Sequence, residues 1–181
     1  MSVSKFAEFM AKITREELLA RYAAGERDFS KLDLGWTDLS GVDLSGANFT
    51  QARLGQSNLS RANLSGANFS RANLNNIAAK NTNFRNADLR NAYIQSAILT
   101  ESVFEGANLC NAFLSDSDLS RANFEGAILK YVDLCSTGLI DTNLRNADIE
   151  GVNVSEETVL DGTKYWEAIN YAISGIDDLI E

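Results

Sequence analysis

Residues 57–74 read SNLSRANLSGANFSRANL, a run in which Leu or Phe returns at every fifth position. The same spacing holds from Phe29 to Val154 without insertion or deletion, and among these 26 positions only Ala79 lacks a large apolar side chain. Five residues turn an α-helix by about 500°, and a β-strand requires period two, so neither regular structure produces this pattern. The chain must bend at every unit to bring each fifth side chain back to a common axis. The sequence therefore predicts a solenoid.

A second column of residues accompanies the apolar one. A small residue usually stands two positions before the central apolar residue, and the residue between them is Asn or Asp at 18 of the 26 positions. A representative unit is Ala62-Asn63-Leu64-Ser65-Gly66. These residues resemble the pentapeptide repeat family, and the resemblance covers about 70 % of the chain. It implies an all-β solenoid in the form of a right-handed quadrilateral β-helix.

The spacing of the phenylalanines predicts how many units form one coil. Six of the nine Phe residues occupy the central position, in two series with steps of 20: Phe29, Phe49 and Phe69, then Phe84, Phe104 and Phe124. Rings stack well when each lies directly above the last, at the ~4.8 Å spacing of paired strands. A step of 20 means four units per coil, which gives about six and a half coils and a length of about 31 Å.

Two further features concern the corners and the one defect of the repeat. Gly or Asn recurs in steps of 20 from Gly46 to Asn146, which favours a type II turn at that corner of the square.

Where Ala79 replaces the large residue, Ile77 occupies the usual small position. Either Ile77 restores the local core volume, or the chain forms a bulge there.

The two ends depart from the repeat, so we expect an N-terminal helical cap (1–27), the β-helix (28–158) and a C-terminal helical cap (159–181). Residues 14–24 read as a helix with a capping box at Thr14 and Glu17 and a stop at Gly25. Its apolar face consists of Leu18, Leu19 and Tyr22. Val3, Phe6, Met10 and Ile13 also have helical spacing and indicate a first short helix.

At the other end, Asp161 or Thr163 can cap a helix that runs to about Ile173. Its apolar face consists of Trp166, Ile169 and Ile173. Open ends of a β-helix expose unpaired strand edges, so both terminal segments read first as caps. The resemblance to the family also implies a possible homodimer through the C-terminal segment.

Composition favours a soluble, cytoplasmic protein without an enzymatic site. No stretch of 18 apolar residues predicts a membrane span, and the first residues lack the pattern of a secretion signal. Cys110 and Cys135 lie 25 residues apart at outward positions, so we expect free thiols and no disulfide. The chain has no His and no nucleotide-binding or nucleophile motif. We therefore expect no catalytic residue, no cofactor and no metal.

Charge bears on one function that the resemblance suggests, because the best-understood members of this family bind DNA gyrase by imitating duplex DNA. The chain carries a net charge of −9, but residues 28–154 contain 14 acidic and 10 basic residues. The outward columns alternate in sign, as in Arg61, Asn81, Glu101, Arg121 and Asp141. Further neighbours of opposite charge are Arg85 with Glu105 and Lys130 with Glu150. Such a surface neutralises itself, and the sequence pI of about 4.6 argues against nucleic-acid binding.

Apolar residues interrupt the outward Asn/Asp column in the C-terminal half. They are Tyr93, Ile98, Val103, Phe113 and Ile128. Tyr93 and Phe113 are 20 apart and hence stacked, while Tyr131 occupies a corner one coil later. We predict a protein-binding patch formed by Tyr93, Ile98, Phe113, Ile128 and Tyr131. The alternative is drift of the repeat, since single exposed apolar residues are common. Trp36 is similar, and we expect the N-terminal helix to cover it.

The sequence thus favours a non-enzymatic scaffold or protein-binding module with an unknown protein partner, no nucleic acid and no membrane. The alternatives are a DNA-mimicking binder of DNA gyrase and an enzyme with an unrecognised carboxylate site.

Overall fold

The computed structural model describes residues 12–163 and residue 168. The described chain coils into a solenoid held by 24 isolated parallel β-bridges. Between Asp28 and Asn153 every bridge joins a residue to the one 20 positions later, as in Asn63 with Asn83. The predicted register of four units per coil is confirmed by these pairs. Each bridge is one residue wide, because the chain turns before a longer strand can form.

One unit shows why this sequence coils, since all five of its backbone N–H groups have an acceptor. Asn63 donates to the carbonyl of Val42 in the preceding coil at 2.8 Å. Leu64 and Gly66 donate to carbonyls of the following coil, each at 2.8 Å. Ala62 closes the preceding turn, and Ser65 donates to the side-chain oxygen of its own neighbour Asn63 at 3.3 Å. A unit that uses every N–H has no place for proline, and the chain contains none.

The fourth residue after each small position lies at a corner, and these corner residues have positive φ in all four columns. Nineteen of those in the described chain are not glycine, among them Trp36 at +63° and Arg61 at +62°. The residue after each corner donates to the carbonyl three positions earlier in most turns, as from Ala67 to Leu64 at 3.1 Å. This is the type II turn. Our expectation of such a turn at one corner was too narrow, because coiling requires it at every corner.

Rings and small side chains fill the interior. Phe49 and Phe69 stack with centroids 5.0 Å apart, and Phe104 and Phe124 stack at 4.6 Å, as their spacing predicts. Leu64 is fully buried. At the defect, Ile77 and Ala79 are both buried, and the bridges that flank them keep the 20-residue offset. The extra volume of Ile77 therefore replaces the missing side chain, and no bulge forms.

Hydroxyl groups at the small position connect successive coils. The Ser117 hydroxyl donates to the carbonyl of Ile94 at 2.8 Å and accepts from the N–H of Ala97 at 3.0 Å. The hydroxyl thereby replaces the direct turn hydrogen bond from the N–H of Ala97 to the carbonyl of Ile94 in the coil below. Ser57 stands in the same column and is equally buried, but its hydroxyl has no partner among the described residues.

At the N-terminal end, helix α1 extends from Arg15 to Ala23. The Thr14 side chain accepts from the N–H of Glu17, and Leu18 is fully buried in the core. Ile13 was assigned to a first helix, which is wrong: its N–H donates to Asp33, next to the bridge between Lys12 and Asp33. The other members of that predicted helix lie outside the described residues. Trp36 is also not covered by α1, since 74 % of it is exposed.

At the C-terminal end the repeat continues past a one-residue insertion. Gly138 pairs with Val159, an offset of 21, and Gly162 again has positive φ. Thr163 is buried, and its hydroxyl donates to the carbonyl of Leu139. Ala168 packs partly against the core. The rest of the predicted C-terminal helix and its dimer interface lie outside the described residues.

Candidate protein-interaction surface

The outward Asn or Asp of each unit performs a specific task, which its apolar replacements cannot perform. Its side-chain oxygen accepts from the N–H two residues later, as from Ser60 to Asn58 at 3.1 Å. Its amide can also donate to the same position one coil below, as from Asn83 to Asn63 at 3.0 Å. An apolar residue at this position gives up both hydrogen bonds while burying little additional surface. Such a substitution costs local stability, typically about 1 kcal/mol per bond.

Tyr93 and Phe113, two of these apolar replacements, stack on each other. Their rings stack with centroids 5.1 Å apart and planes 6° apart, as their spacing predicts. Tyr93 is 46 % exposed and Phe113 39 % exposed. Tyr93 has no side-chain acceptor for the N–H of Gln95. This N–H donates instead to the Asn75 side chain of the coil below at 2.9 Å. The N–H of Ser115, two residues after Phe113, has no acceptor within the described chain.

The other members of the predicted patch do not join this pair. Ile98 pairs with Ala78 and Asp118, and Ile128 pairs with Asn108 and Asp148, so they stand in two further columns. These columns are two faces apart, which places Ile98 and Ile128 on opposite sides of the square. The structure thus divides the five predicted residues among separate faces.

Tyr131 lies at the corner but leans toward the C-terminal end. A Cβ atom added at Gly151 would approach the Tyr131 ring to 2.4 Å, so the ring covers this glycine. The Tyr131 hydroxyl donates to Glu150 at 3.2 Å. The ring is therefore engaged with the following coil, away from Phe113. The candidate surface reduces to the face of Tyr93 and Phe113, which we call the aromatic face.

Sequence comparison agrees with this geometry. A family profile described as pentapeptide repeats (8 copies) matches residues 47–86, 67–106, 87–126 and 117–155, which together span more than half of the chain. The chain belongs to the pentapeptide repeat family. No curated protein gives a match.

Solved pentapeptide repeat structures resemble the chain along most of its length. HetL, involved in heterocyst differentiation regulation in the cyanobacterium Nostoc sp. strain PCC 7120, is 22 % identical over 87 % of this chain and 97 % of its own, with a TM-score of 0.29. Another pentapeptide repeat protein of Nostoc PCC 7120 is 27 % identical over 80 % and 98 %, with a TM-score of 0.38. QnrB1, a plasmid-mediated fluoroquinolone resistance protein, is 22 % identical over 81 % and 92 %, with a TM-score of 0.37.

The charged columns of this pentapeptide repeat protein form ion pairs between coils, as their alternating signs predict. Arg85 contacts Glu105 at 2.5 Å, and Lys130 contacts Glu150 at 2.7 Å. The hydrogen bond to Glu150, with a second to Asp148, raises the pKa of Lys130 above its usual value. These pairs lie in columns other than that of Tyr93 and Phe113.

The remaining chemistry of the repeat surface is sparse. Cys110 and Cys135 are free thiols, as expected, and burial raises the pKa of Cys135. Within residues 12–163 and 168, no group of acidic or cysteine side chains has the arrangement of a metal site. The same residues contain no helix of the length and hydrophobicity needed to span a bilayer.

Proposed function

We propose that this pentapeptide repeat protein is a non-enzymatic scaffold that binds a protein partner through its aromatic face. The observation that carries the proposal is the exposed stack of Tyr93 on Phe113 at positions where the repeat usually places Asn or Asp. The fold gains little from these rings, because they leave the core and sacrifice the turn hydrogen bond. Departures from a local rule without structural gain are typical of functional surfaces.

The surroundings of the pair favour a protein as partner. Most neighbouring positions on this face carry amides and hydroxyls, namely Asn73, Asn91, Gln95, Asn111 and Ser115. The carboxylate of Asp133, which pairs with Phe113, adds one negative charge at the edge of the pair. An aromatic centre with few charges and a polar rim is the usual composition of a protein interface. The rings stack face to face, so they present their edges outward, which suits insertion between side chains of a partner. A right-handed solenoid of about six and a half coils with helical caps, which we also propose, would hold this surface rigid.

DNA mimicry of the gyrase type receives less support. No Asp or Glu occurs between residues 44 and 87, although five basic residues do. More than two coils therefore lack the negative charge that imitates a phosphate backbone. We expect supercoiling by DNA gyrase to be unaffected at micromolar protein. Inhibition that weakens with added salt would restore this alternative.

Affinity capture with two matched variants tests the proposal. The double variant Tyr93→Asn/Phe113→Asn should lose a captured partner, because aromatic anchors dominate interface energies. Its melting temperature should change little, since Ser115 regains an acceptor while about 1 kcal/mol of ring stacking is lost. Ile128→Asn is the control, because it makes the same kind of change on another face.

Capture must be followed by a binding titration with the purified partner. Equal affinity of the double variant and the wild type would refute the aromatic face as the binding surface. A large fall in melting temperature of the double variant would show that the rings serve the fold.

A further inference from the structure

A groove of about 400 Å³ lies on a different face, nearer the N-terminal end. Its lining consists of Ser40, Gly41, Asn58, Ser60, Arg61 and Lys80. The register explains this composition: Ser40, Ser60 and Lys80 stand in one column with steps of 20, and Gly41 and Arg61 stand in the adjacent corner column. Gly41 has no side chain below Arg61, which leaves space beneath the guanidinium.

The groove presents donors of hydrogen bonds. Ser40 and Ser60 contribute hydroxyls, and Arg61 and Lys80 contribute charged nitrogens. A backbone donor adds to them because Ala78 occupies the outward position and has no side-chain oxygen. One coil below, Asn58 accepts from the N–H of Ser60, but the N–H of Lys80 has no acceptor within the described residues.

Charge at the groove is positive, although the protein is acidic. The acid-free span of residues 44–87 contains Arg61 and Lys80. Lys80 contacts Glu101 of the next coil at 3.6 Å, so part of its charge is compensated. Below the groove, Asp38 contacts Arg15 at 3.8 Å. Arg61 forms no ion pair with any residue in 12–163 or with 168, and no carboxylate lines the groove.

We propose that this groove binds the phosphate group of a small molecule. A guanidinium binds phosphate oxygens through two parallel hydrogen bonds, and the ammonium, hydroxyls and free N–H can satisfy the remaining oxygens. The volume matches that of sites for small ligands. Both cations are exposed to solvent, so the affinity should be modest and should fall as salt screens the charges.

Backbone amide NMR at low ionic strength tests the site with pyrophosphate as the probe. Addition of the probe should shift the Lys80 N–H downfield in a saturable manner, as expected for a new hydrogen bond. Arg61→Gly should weaken binding about tenfold, the usual effect of losing one charge-assisted pair. This substitution should not harm folding, because φ at position 61 is +62°, a conformation that glycine accepts readily.

Two further variants separate a built site from diffuse charge. Arg71→Gly removes the same kind of charge from another corner column, also at positive φ, and should leave the affinity unchanged at moderate salt. Ala78→Asn should supply an acceptor for the Lys80 N–H and thereby weaken binding without removing any charge. The proposal is overturned if the probe leaves Lys80 unshifted, or if Arg61→Gly and Arg71→Gly weaken binding equally. A phosphoserine peptide that binds far more tightly than pyrophosphate would also overturn it, in favour of a protein ligand.

Discussion

Ser57 and Ser117 offer a test of how coils are joined, because they share a residue type, a column and full burial but differ in hydrogen bonding. The Ser57 hydroxyl has no partner among the described residues. Replacing it with Ala, the most frequent residue of this position, removes a buried unpaired hydroxyl. We expect Ser57→Ala to stabilise the fold by about 1 kcal/mol.

Ser117→Ala should have the opposite sign. It removes a donor to Ile94 at 2.8 Å and an acceptor for Ala97 at 3.0 Å, both inside the core. If both groups stay unpaired the cost is about 1–3 kcal/mol each, and if they close the turn between themselves the cost falls to roughly 1 kcal/mol. The net effect is therefore destabilising in either case.

Thermal unfolding followed by circular dichroism measures both effects. For a chain of this size, 1 kcal/mol shifts the melting temperature by about 2–4 °C. Ser57→Ala should melt higher than the wild type, and Ser117→Ala should melt lower. Shifts of the same sign in the two variants would refute the view that hydroxyls bridge the coils selectively. Urea unfolding provides a check that the cooperative unit is unchanged, since its m value should not vary.

Three other predictions concern the core, the corners and acid. Leu64→Asp should prevent cooperative folding, because an unpaired charge in this fully buried position costs several kcal/mol, on the order of 5; an unchanged melt would contradict the inward assignment. Trp36→Gly should raise the melting temperature, since it relieves roughly 0.5–1 kcal/mol at φ +63° and removes an exposed ring; a lower melting temperature would mean that the ring packs on the protein. Hydrogen bonds from Ser45 hold the pKa of Asp43 below its usual range. The contribution of the Asp43 carboxylate to the free energy of unfolding is therefore present at neutral pH and is lost as the pH falls through the lowered pKa. Asp43→Asn should lose less stability between pH 7 and pH 3 than the wild type, and equal losses would count against this role.

The fold could be predicted in large part because the 20-residue steps in the sequence equal the offset between paired residues of successive coils. The step of 20 between Phe49 and Phe69 predicts their stack, and α1 begins after Thr14 where the capping signal places it. Ile13 was misassigned because its spacing from Met10 and Phe6 imitates a helix, while its pairing with Asp33 depends on a residue 20 positions away. Non-local pairing of this kind has no local signal.

The candidate site was predictable only in part. Ile98 and Ile128 could have been separated from the sequence, since they are 30 residues apart and hence one and a half coils. The orientation of Tyr131 depends on the space above Gly151, which only the packed coil reveals. The groove at Arg61 was missed because no single unit contains it, and its parts come from three successive coils.

The bridge between Lys12 and Asp33 has a consequence for assembly. All coils of the solenoid offer the same pattern of backbone N–H and C=O groups. An uncovered first coil could therefore pair with the last coil of another molecule. Here Lys12 pairs with the first coil on one side, and α1 covers the end of the core with the buried side chain of Leu18. The offset of 21 at this bridge also differs from the 20 of the other bridges, so the chain leaves the repeat register at this end. An end covered in this way offers fewer free backbone groups to a second molecule, which disfavours end-to-end growth of the solenoid.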